Sequence, residues 1–437
     1  MKVCWVVNTI LPVIAEANGR TFSNKEGWLD GLSRGLISHK KELAAGFKSD
    51  GKVSDFKLCV CFPIEKNKKL IKGSVEEYNI DYYGFPEDTA NPHVYDEGLE
   101  EIFASILVEW QPDIVHIFGT EYPHALAMTR VFNDSKRMLV SVQGIISECG
   151  RKYMAGLPEK IRRRKTFRDR LKKDSVIAQQ NKFITRGQYE TEVIKKTGNI
   201  AGRTFWDKGV CAEINDKAKY HRLNETLRDV FYSEEWSYKD CNRHQIFVSQ
   251  GNYPLKGLHF VLEAISDLKD KYPDMRLIVA GDRINSTETL KDKIKIGNYG
   301  KYLNELIEKY KLEKIVEFTG NIPADEIKLH MLNSNVMIMA SSVENSSNSM
   351  GEAMLLGLPV ISSNVGGLPS LMYENEGFYY KFGDAKELKE TILGVFEDPD
   401  EAIARSARAK EHARKTHDSQ ENIKQLVSIY NEINLCV

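Results

Sequence analysis

The chain has 437 residues, 42% hydrophobic and 28% charged, with 61 Lys and Arg against 62 Asp and Glu for a net charge of -1. That length exceeds one ordinary core and implies two domains of about 200 residues each, while the balanced charge excludes a global pull toward nucleic acid or an anionic membrane. The seven cysteines, Cys4, Cys59, Cys61, Cys149, Cys211, Cys241 and Cys436, are odd in number and show neither a C-x-x-C pair nor a His spacing suited to zinc, so reduced thiols of a cytoplasmic protein are expected.

Residues 3–8 read as a first buried strand rather than a signal peptide, because Asn8 and Pro12 break the apolar run and no small-residue cleavage site follows. No stretch reaches the roughly 18 apolar residues needed to span a bilayer, so any membrane contact is expected to be peripheral. A polar loop then leads to a helix from Gly27 with Leu29, Leu32, Leu36 and Ile37 on one face. Strands are predicted at 56–63, 114–119 and 138–144, with Leu99, Ile102, Phe103 and Ile106 facing inward from the helix between the first two and Pro123 opening the next. This alternation implies parallel strands with right-handed crossovers. Ligands collect outside the carboxyl ends of such strands, which singles out Gly119, Thr120, Glu121, His124, Gln143 and Gly144. His116, mid-strand, reads as a core histidine.

Between Lys160 and Lys173 nine basic residues face one Asp, with Ile161, Phe167 and Leu171 interleaved. A solvated helix face is the default reading; a surface helix on anionic lipid or an anionic acceptor comes next, and nucleic acid last. The alternation continues through 183–185 and 188–198, and Arg203, Trp206 and Asp207 fall close together in a predicted loop. Residues 221–244 lack periodicity and are expected to carry the domain junction. Strands at 244–250, 275–281, 314–320 and 336–340 then form a second doubly wound domain. The expected fold class is therefore α/β, with two Rossmann-like parallel-sheet domains: 1–240, joined by a returning helix at 419–437, and 241–418.

Residues 344–369 read ENSSNSMGEAMLLGLPVISSNVGGLP and lie between the runs at 336–340 and 359–363, so a helix must connect them. Ser346, Asn348 or Ser349 can cap it, its apolar members are Met350, Ala353, Met354 and Leu356, and Glu352 falls in its first turn. Amides at such an N-terminus attract phosphate, and the flanking carboxylates of Glu344 and Glu352 suit sugar hydroxyls. The plainer alternative makes Glu352 a dipole partner and Gly366-Gly367 a turn.

Glu344 and Glu352, separated by seven residues and followed by Ala353-Met354, Gly357, Pro359-Val360 and Gly366-Gly367, resemble the donor-site signature of family 4 retaining glycosyltransferases. The resemblance extends over essentially the whole chain and is strongest from Ile246 to Pro369. It implies the GT-B architecture, with two domains facing a cleft, and transfer of a sugar from a nucleotide-diphosphate sugar to an acceptor hydroxyl with retention. Surface polysaccharide or glycolipid biosynthesis is the implied setting, with a glycan or lipid-linked glycan as acceptor. Glu344 would contact the donor sugar and Glu352 the ribose; Asn348, Ser349, Met350, Gly351, Gly366 and Gly367 would surround the sugar and diphosphate. Lys256 matches the family's diphosphate lysine. The arginine six positions earlier is Gln250 here, with Arg283 a candidate substitute. Glu344 and Lys256 are thus the donor-side catalytic candidates, and Glu121 and His124 the groups placed to meet an acceptor hydroxyl. A family His at the N-domain strand end is matched by Phe118. The one Asp-x-Asp, at 398–400, lies in a helical region, so transfer without a metal or cofactor is expected, and no nucleic-acid partner. An epimerase or hydrolase on the same scaffold, or a sugar-nucleotide-binding regulator whose catalytic features have lapsed, are the alternatives.

Overall fold

The computed structural model describes residues 1–20, 27–38, 48–49, 52–53 and 56–435, and divides into two compact units. Unit 1 comprises Met1–Ser147, Ile184–Leu227 and His417–Val437; unit 2 comprises Glu148–Phe183 and Arg228–Thr416.

Unit 1 is built on β1 (Lys2–Val6), β2 (Lys57–Glu65), β3 (Ile71–Val75), β4 (Ile80–Glu87), β5 (Ile114–Phe118), β6 (Met138–Ser141), β7 (Asn199–Gly202) and β8 (Lys219–Arg222). Their order is β8-β7-β6-β5-β1-β2-β4-β3, parallel except for the edge strand β3. The sequence order turns back on either side of β1, which makes its carboxyl end the switch point of a doubly wound sheet. Alternate residues of β1 serve opposite faces: Val3 and Trp5 pack with Leu29, Leu32 and Leu36, whereas Cys4 and Val6 pack with Phe103 and Ile106. The side chain of Ile37, expected on the same helical face, lies outside the described residues, as does Cys436. Cys4, Cys59, Cys61, Cys211 and Cys241 form no disulfide, and Cys4, Cys59 and Cys61 are fully buried in the second of these clusters.

The C-terminal helix Ser419–Leu435 completes this unit, burying Ile423, Leu426, Ile429, Tyr430 and Ile433. Its Tyr430 hydroxyl accepts from Trp5 Nε1 at 2.8 Å and is hydrogen-bonded to His116 Nδ1 at 2.6 Å, while His116 Nε2 is hydrogen-bonded to Ser141 Oγ at 2.7 Å. His116 is the core histidine its mid-strand position implied. Burial drives its pKa well below the ordinary histidine value.

Unit 2 has six parallel strands, β9 (Asn242–Val248), β10 (Arg276–Ala280), β11 (Val316–Gly320), β12 (Ser334–Met339), β13 (Val360–Ser363) and β14 (Phe378–Tyr380), in the order β11-β10-β9-β12-β13-β14. Among the described residues no helix is long and apolar enough to cross a membrane.

The chain passes between units at Leu227–Arg228, upstream of the expected 240/241 boundary, and residues 148–183 group with unit 2 rather than with the first domain. Polar anchors cause this. Arg164 binds Glu305 at 2.7 Å and Asn298 Oδ1 at 2.6 Å, Asn298 Nδ2 donates to Ile161 O, and the buried Asp169 accepts from the Asn298 amide. The basic run at 160–173 is accordingly two short helices, Glu159–Arg163 and Phe167–Leu171, with Arg164 extended between them. Residues 183–185 continue no strand; they lie within the helix Val176–Lys196.

Candidate functional site

The loops that follow β9, β12 and β13 in unit 2 are stitched together by their backbones. Pro254–Lys256 forms a single 3-10 turn closed by Gly257 at φ +66°. A Cβ on Gly257 would lie 1.9 Å from Ala340 O, and Leu255 O accepts from the Ser342 amide at 2.7 Å. This close approach, available only to glycine, brings Lys256 to the end of β12. There Lys256 Nζ donates to Glu344 Oε2 at 2.7 Å, with the Ser341 hydroxyl at 3.2 Å from the same oxygen. Both side chains are mostly buried, at 16% and 19% exposure. Burial opposes the Lys256 ammonium, but the Glu344 carboxylate outweighs it and holds the lysine above its usual range.

Gly366 and Gly367 secure Glu344 from the other side. Gly367 N donates to Glu344 O at 2.9 Å, and a Cβ on Gly366, at φ +54°, would lie 2.1 Å from that oxygen. The glycine pair therefore packs against the carboxylate's own main chain rather than opening a wall for a ligand.

The helix expected between β12 and β13 is Asn348–Leu356, capped by Ser347 rather than by Ser346, Asn348 or Ser349. Ser347 Oγ accepts from the Met350 amide at 3.4 Å and Ser347 O from Gly351 at 3.1 Å. The amides of Met350 and Gly351 are thus engaged by the cap, while Asn348 and Ser349 form the half-buried first turn. Glu352, expected in the first turn, is the fifth helical residue and faces inward, 3% exposed. It is held bidentately by Arg228, whose Nε and Nη2 donate at 2.6 and 2.7 Å. Burial raises the Glu352 pKa, and the Arg228 guanidinium works against that rise.

Gln250 and Arg283 are not drawn into this pair. Gln250 is half-buried beside Gly281, and Arg283 donates to Glu288 at 2.7 Å on the surface. Arg283 and Asn252 line a polar cavity of about 280 Å³ with Arg168, Asp174, Lys295 and Tyr299, to which Lys256 and Glu344 do not contribute.

In unit 1 the strand ends carry a polar chain. Glu87 at the end of β4 accepts from His124 Nδ1 at 2.7 Å and from its amide at 3.1 Å; His124 Nε2 lies 3.1 Å from Asn8 Oδ1; Asn8 Nδ2 donates to Glu121 Oε2 at 3.3 Å. Gly144 N donates to the other oxygen of Glu121. His124, expected to face an acceptor hydroxyl, is fully buried under the stacked ring of Tyr122, so it orients Asn8 and Glu121 from behind. Asn8 and Tyr122 line an open cleft of about 610 Å³ with Thr9, Glu65 and Thr89. Thr120 donates to the buried Glu190, and Arg203 pairs with Glu225 at 2.6 Å. Asp207, expected in a loop, closes the capping box of the helix Phe205–Ile214 with Thr204. Phe118 is packed edge-on against Trp5.

Residues 238–416 match the family model for glycosyl transferases group 1. That segment contains Gln250, Lys256, Arg283, Glu344, Glu352, Gly366 and Gly367, while Arg228 lies just upstream of it. A putative colanic acid biosynthesis glycosyltransferase of Escherichia coli is 28% identical over 182 residues, which is 40% of this chain and 41% of the relative. The trehalose synthase of Pyrococcus horikoshii is 27% identical over 181 residues, 41% of this chain and 42% of the relative. The chain thus spans about two fifths of the length of the curated relatives it matches. Fold likeness runs further. The sucrose-phosphate synthase of Thermosynechococcus elongatus superposes with a TM-score of 0.68 over 100% of both chains at 14% identity. The Anabaena HepE structure in complex with UDP-glucose gives 0.64 over 99% of this chain and 100% of that one, at 16% identity. The two α/β parallel-sheet units are those of the GT-B fold.

In unit 2, the partners missed from the sequence are Arg228, just upstream of the group 1 segment, and Ser347 within it. Arg228 lies 124 residues from Glu352 with no local pattern to mark it, and Ser347 sits in a run of five polar residues any of which resembles a cap. Asn8 and Glu87 were missed in unit 1; position at a strand end was the available signal, used for Glu121 but not for them.

Proposed function

We propose that the chain is a retaining glycosyltransferase that moves a sugar from a nucleotide-diphosphate sugar to an acceptor hydroxyl. The observation that carries this reading is the Lys256–Glu344 pair at 2.7 Å, placed at the strand ends within the segment that matches the group 1 family model. The pair is a partner-exchange device. A donor diphosphate takes Glu344's place on Lys256, and the released Glu344 accepts hydroxyls of the sugar. Cationic Lys256 and the N-terminus of the Asn348–Leu356 helix then stabilise the negative charge that grows on the departing diphosphate as the sugar gains oxocarbenium character. These groups serve in place of a bound divalent ion. Glu352, oriented by Arg228, offers a carboxylate to the ribose.

On the acceptor side the cleft lined by Asn8, Glu65, Thr89 and Tyr122 is polar and wide enough for a glycan hydroxyl, with Asn8 linking it to Glu121. Colanic acid in the name of one relative supports a polysaccharide acceptor, and a cytoplasmic location is part of the same proposal.

A thermal-shift screen against UDP-, GDP- and ADP-sugars tests the donor. Ligand at a hundredfold excess over its Kd stabilises by about 2.7 kcal/mol. Lys256→Ala and Glu352→Gln should each weaken nucleotide-sugar binding by about tenfold or more in calorimetry. Wild-type affinity in both variants overturns the site. Release of free sugar or an epimer without acceptor would displace transfer in favour of hydrolysis or epimerisation, and failure to consume any bound nucleotide sugar would favour a binding regulator.

A further inference from the structure

Two seven-residue stretches far apart in the chain carry one pattern. Thr166-Phe167-Arg168-Asp169-Arg170-Leu171-Lys172 and Thr289-Leu290-Lys291-Asp292-Lys293-Ile294-Lys295 both read Thr, apolar, basic, Asp, basic, apolar, Lys. Each folds as a short helix, Phe167–Leu171 and Leu290–Lys295, opened by its Thr in a capping box with its Asp. The single acid of each stretch is thereby committed to the backbone. Both helices belong to unit 2, and they pack against each other.

In each helix the apolar pair is spaced i, i+4 and shares one face. Neither pair is covered: Phe167 is 65% exposed, Leu171 69%, Leu290 79% and Ile294 56%. Exposed cations surround them, namely Lys165, Arg170, Lys172, Lys291, Lys293 and Lys295. Nearby acids are already engaged, Glu159 by Arg163, Asp174 by Arg168 and Lys182, and Glu288 by Arg283. The patch is therefore positive as well as apolar. The sequence offers a solvated face, an anionic lipid surface or anionic acceptor, or nucleic acid for 160–173 alone. Solvation does not account for four large bare apolar side chains, and one phenylalanine among aliphatics is no stacking platform for bases. An anionic bilayer meets both chemistries at once, taking apolar tips into the headgroup boundary while lysines and arginines stay among the phosphates.

We infer that this helix doublet docks unit 2 on an anionic lipid bilayer surface. The inference is independent of the donor-site reading, since none of the residues named belongs to the Lys256–Glu344 site. Co-sedimentation of the full chain with phosphatidylcholine vesicles containing about a third phosphatidylserine tests it, against vesicles of phosphatidylcholine alone. Binding is expected to the anionic vesicles only, and to fall with salt. Arg170→Ala/Lys172→Ala/Lys293→Ala should lose about fivefold per cation removed, and Phe167→Ser/Leu290→Ser should lose about tenfold with the charge intact. Because all five side chains are exposed, melting temperatures unchanged from wild type confirm folded variants. Absence of binding, equal binding to neutral vesicles, or loss in the charge variant with none in the apolar variant overturns the proposal. A concentration-dependent dimer in sedimentation that Phe167→Ser/Leu290→Ser abolishes overturns it in favour of a contact between copies of the chain.

Discussion

Removing Arg228 puts the donor-side architecture to its sharpest test. In Arg228→Ala the Glu352 carboxylate, 3% exposed and held at 2.6 and 2.7 Å, loses both of its charge-assisted bonds without gaining water. Breaking one side of a buried pair costs about 3–5 kcal/mol, and a unit of this size shifts its melting temperature by about 2–4 °C per kcal/mol, so a fall on the order of 10 °C is expected at pH 8. The pH dependence identifies the cause. Burial already raises the Glu352 pKa above the ordinary carboxylate value, and the guanidinium is what opposes that rise. Without it the folded-state pKa moves further up, so the folded variant takes up a proton before the unfolded chain does. Stability tied to Glu352 is then gained as pH falls through the folded value toward the unfolded value of about 4.3. The deficit of Arg228→Ala against wild type should therefore shrink between pH 8 and pH 5. Adding Glu352→Gln, which removes the stranded charge, should recover part of the loss at pH 8 and abolish the pH dependence of the deficit. Calorimetric melts of the three proteins decide it. A single-variant melt within about 2 °C of wild type, or a deficit that does not narrow with acid, refutes the claim that Arg228 carries Glu352.

Acid should also destabilise the wild-type chain through its buried histidines. Burial holds His116 well below its ordinary value, His221 at about 4 and His259 at about 3. The unfolded chain therefore binds protons that the folded one refuses, and stability falls as pH drops below about 6.5, by up to about 1.4 kcal/mol per pH unit for each histidine. Urea midpoints that stay flat between pH 7.5 and 5.5 would contradict this. Gly366→Ala places a Cβ 2.1 Å from Glu344 O at a φ of +54°, which costs about 1–3 kcal/mol. It should displace Glu344 enough to weaken nucleotide-sugar binding as well as lower the melting temperature, and unchanged calorimetry in this variant would remove the glycine pair's role in fixing the carboxylate.

The sheets were legible where strands are buried on both faces, because such strands read as unbroken apolar runs. Thus β1, β5, β6, β9, β10 and β12 were read near their observed bounds. The edge was not. Ile71–Val75 has three exposed central residues, Ile80–Glu87 contains Gly84 and Pro86, and Phe378–Tyr380 is three residues long. Missing β4 had a consequence at the site: without that strand, Glu87 had no place at a strand end, and His124 was left without the carboxylate that buries it. His124 then looked like a group facing a substrate when it is one that faces the protein. The donor side repeats the lesson on a smaller scale. Lys256 and Glu344 were found because residue type and loop position suffice to name them. Glu352 was expected in the first turn of a helix capped by Ser346, Asn348 or Ser349, whereas Ser347 caps it and Glu352 is its fifth residue. The two glutamates that made the sequence recognisable are therefore held differently: Glu344 pairs with Lys256 from a neighbouring loop, and Glu352 is fixed by an arginine that nothing local in the sequence could reveal.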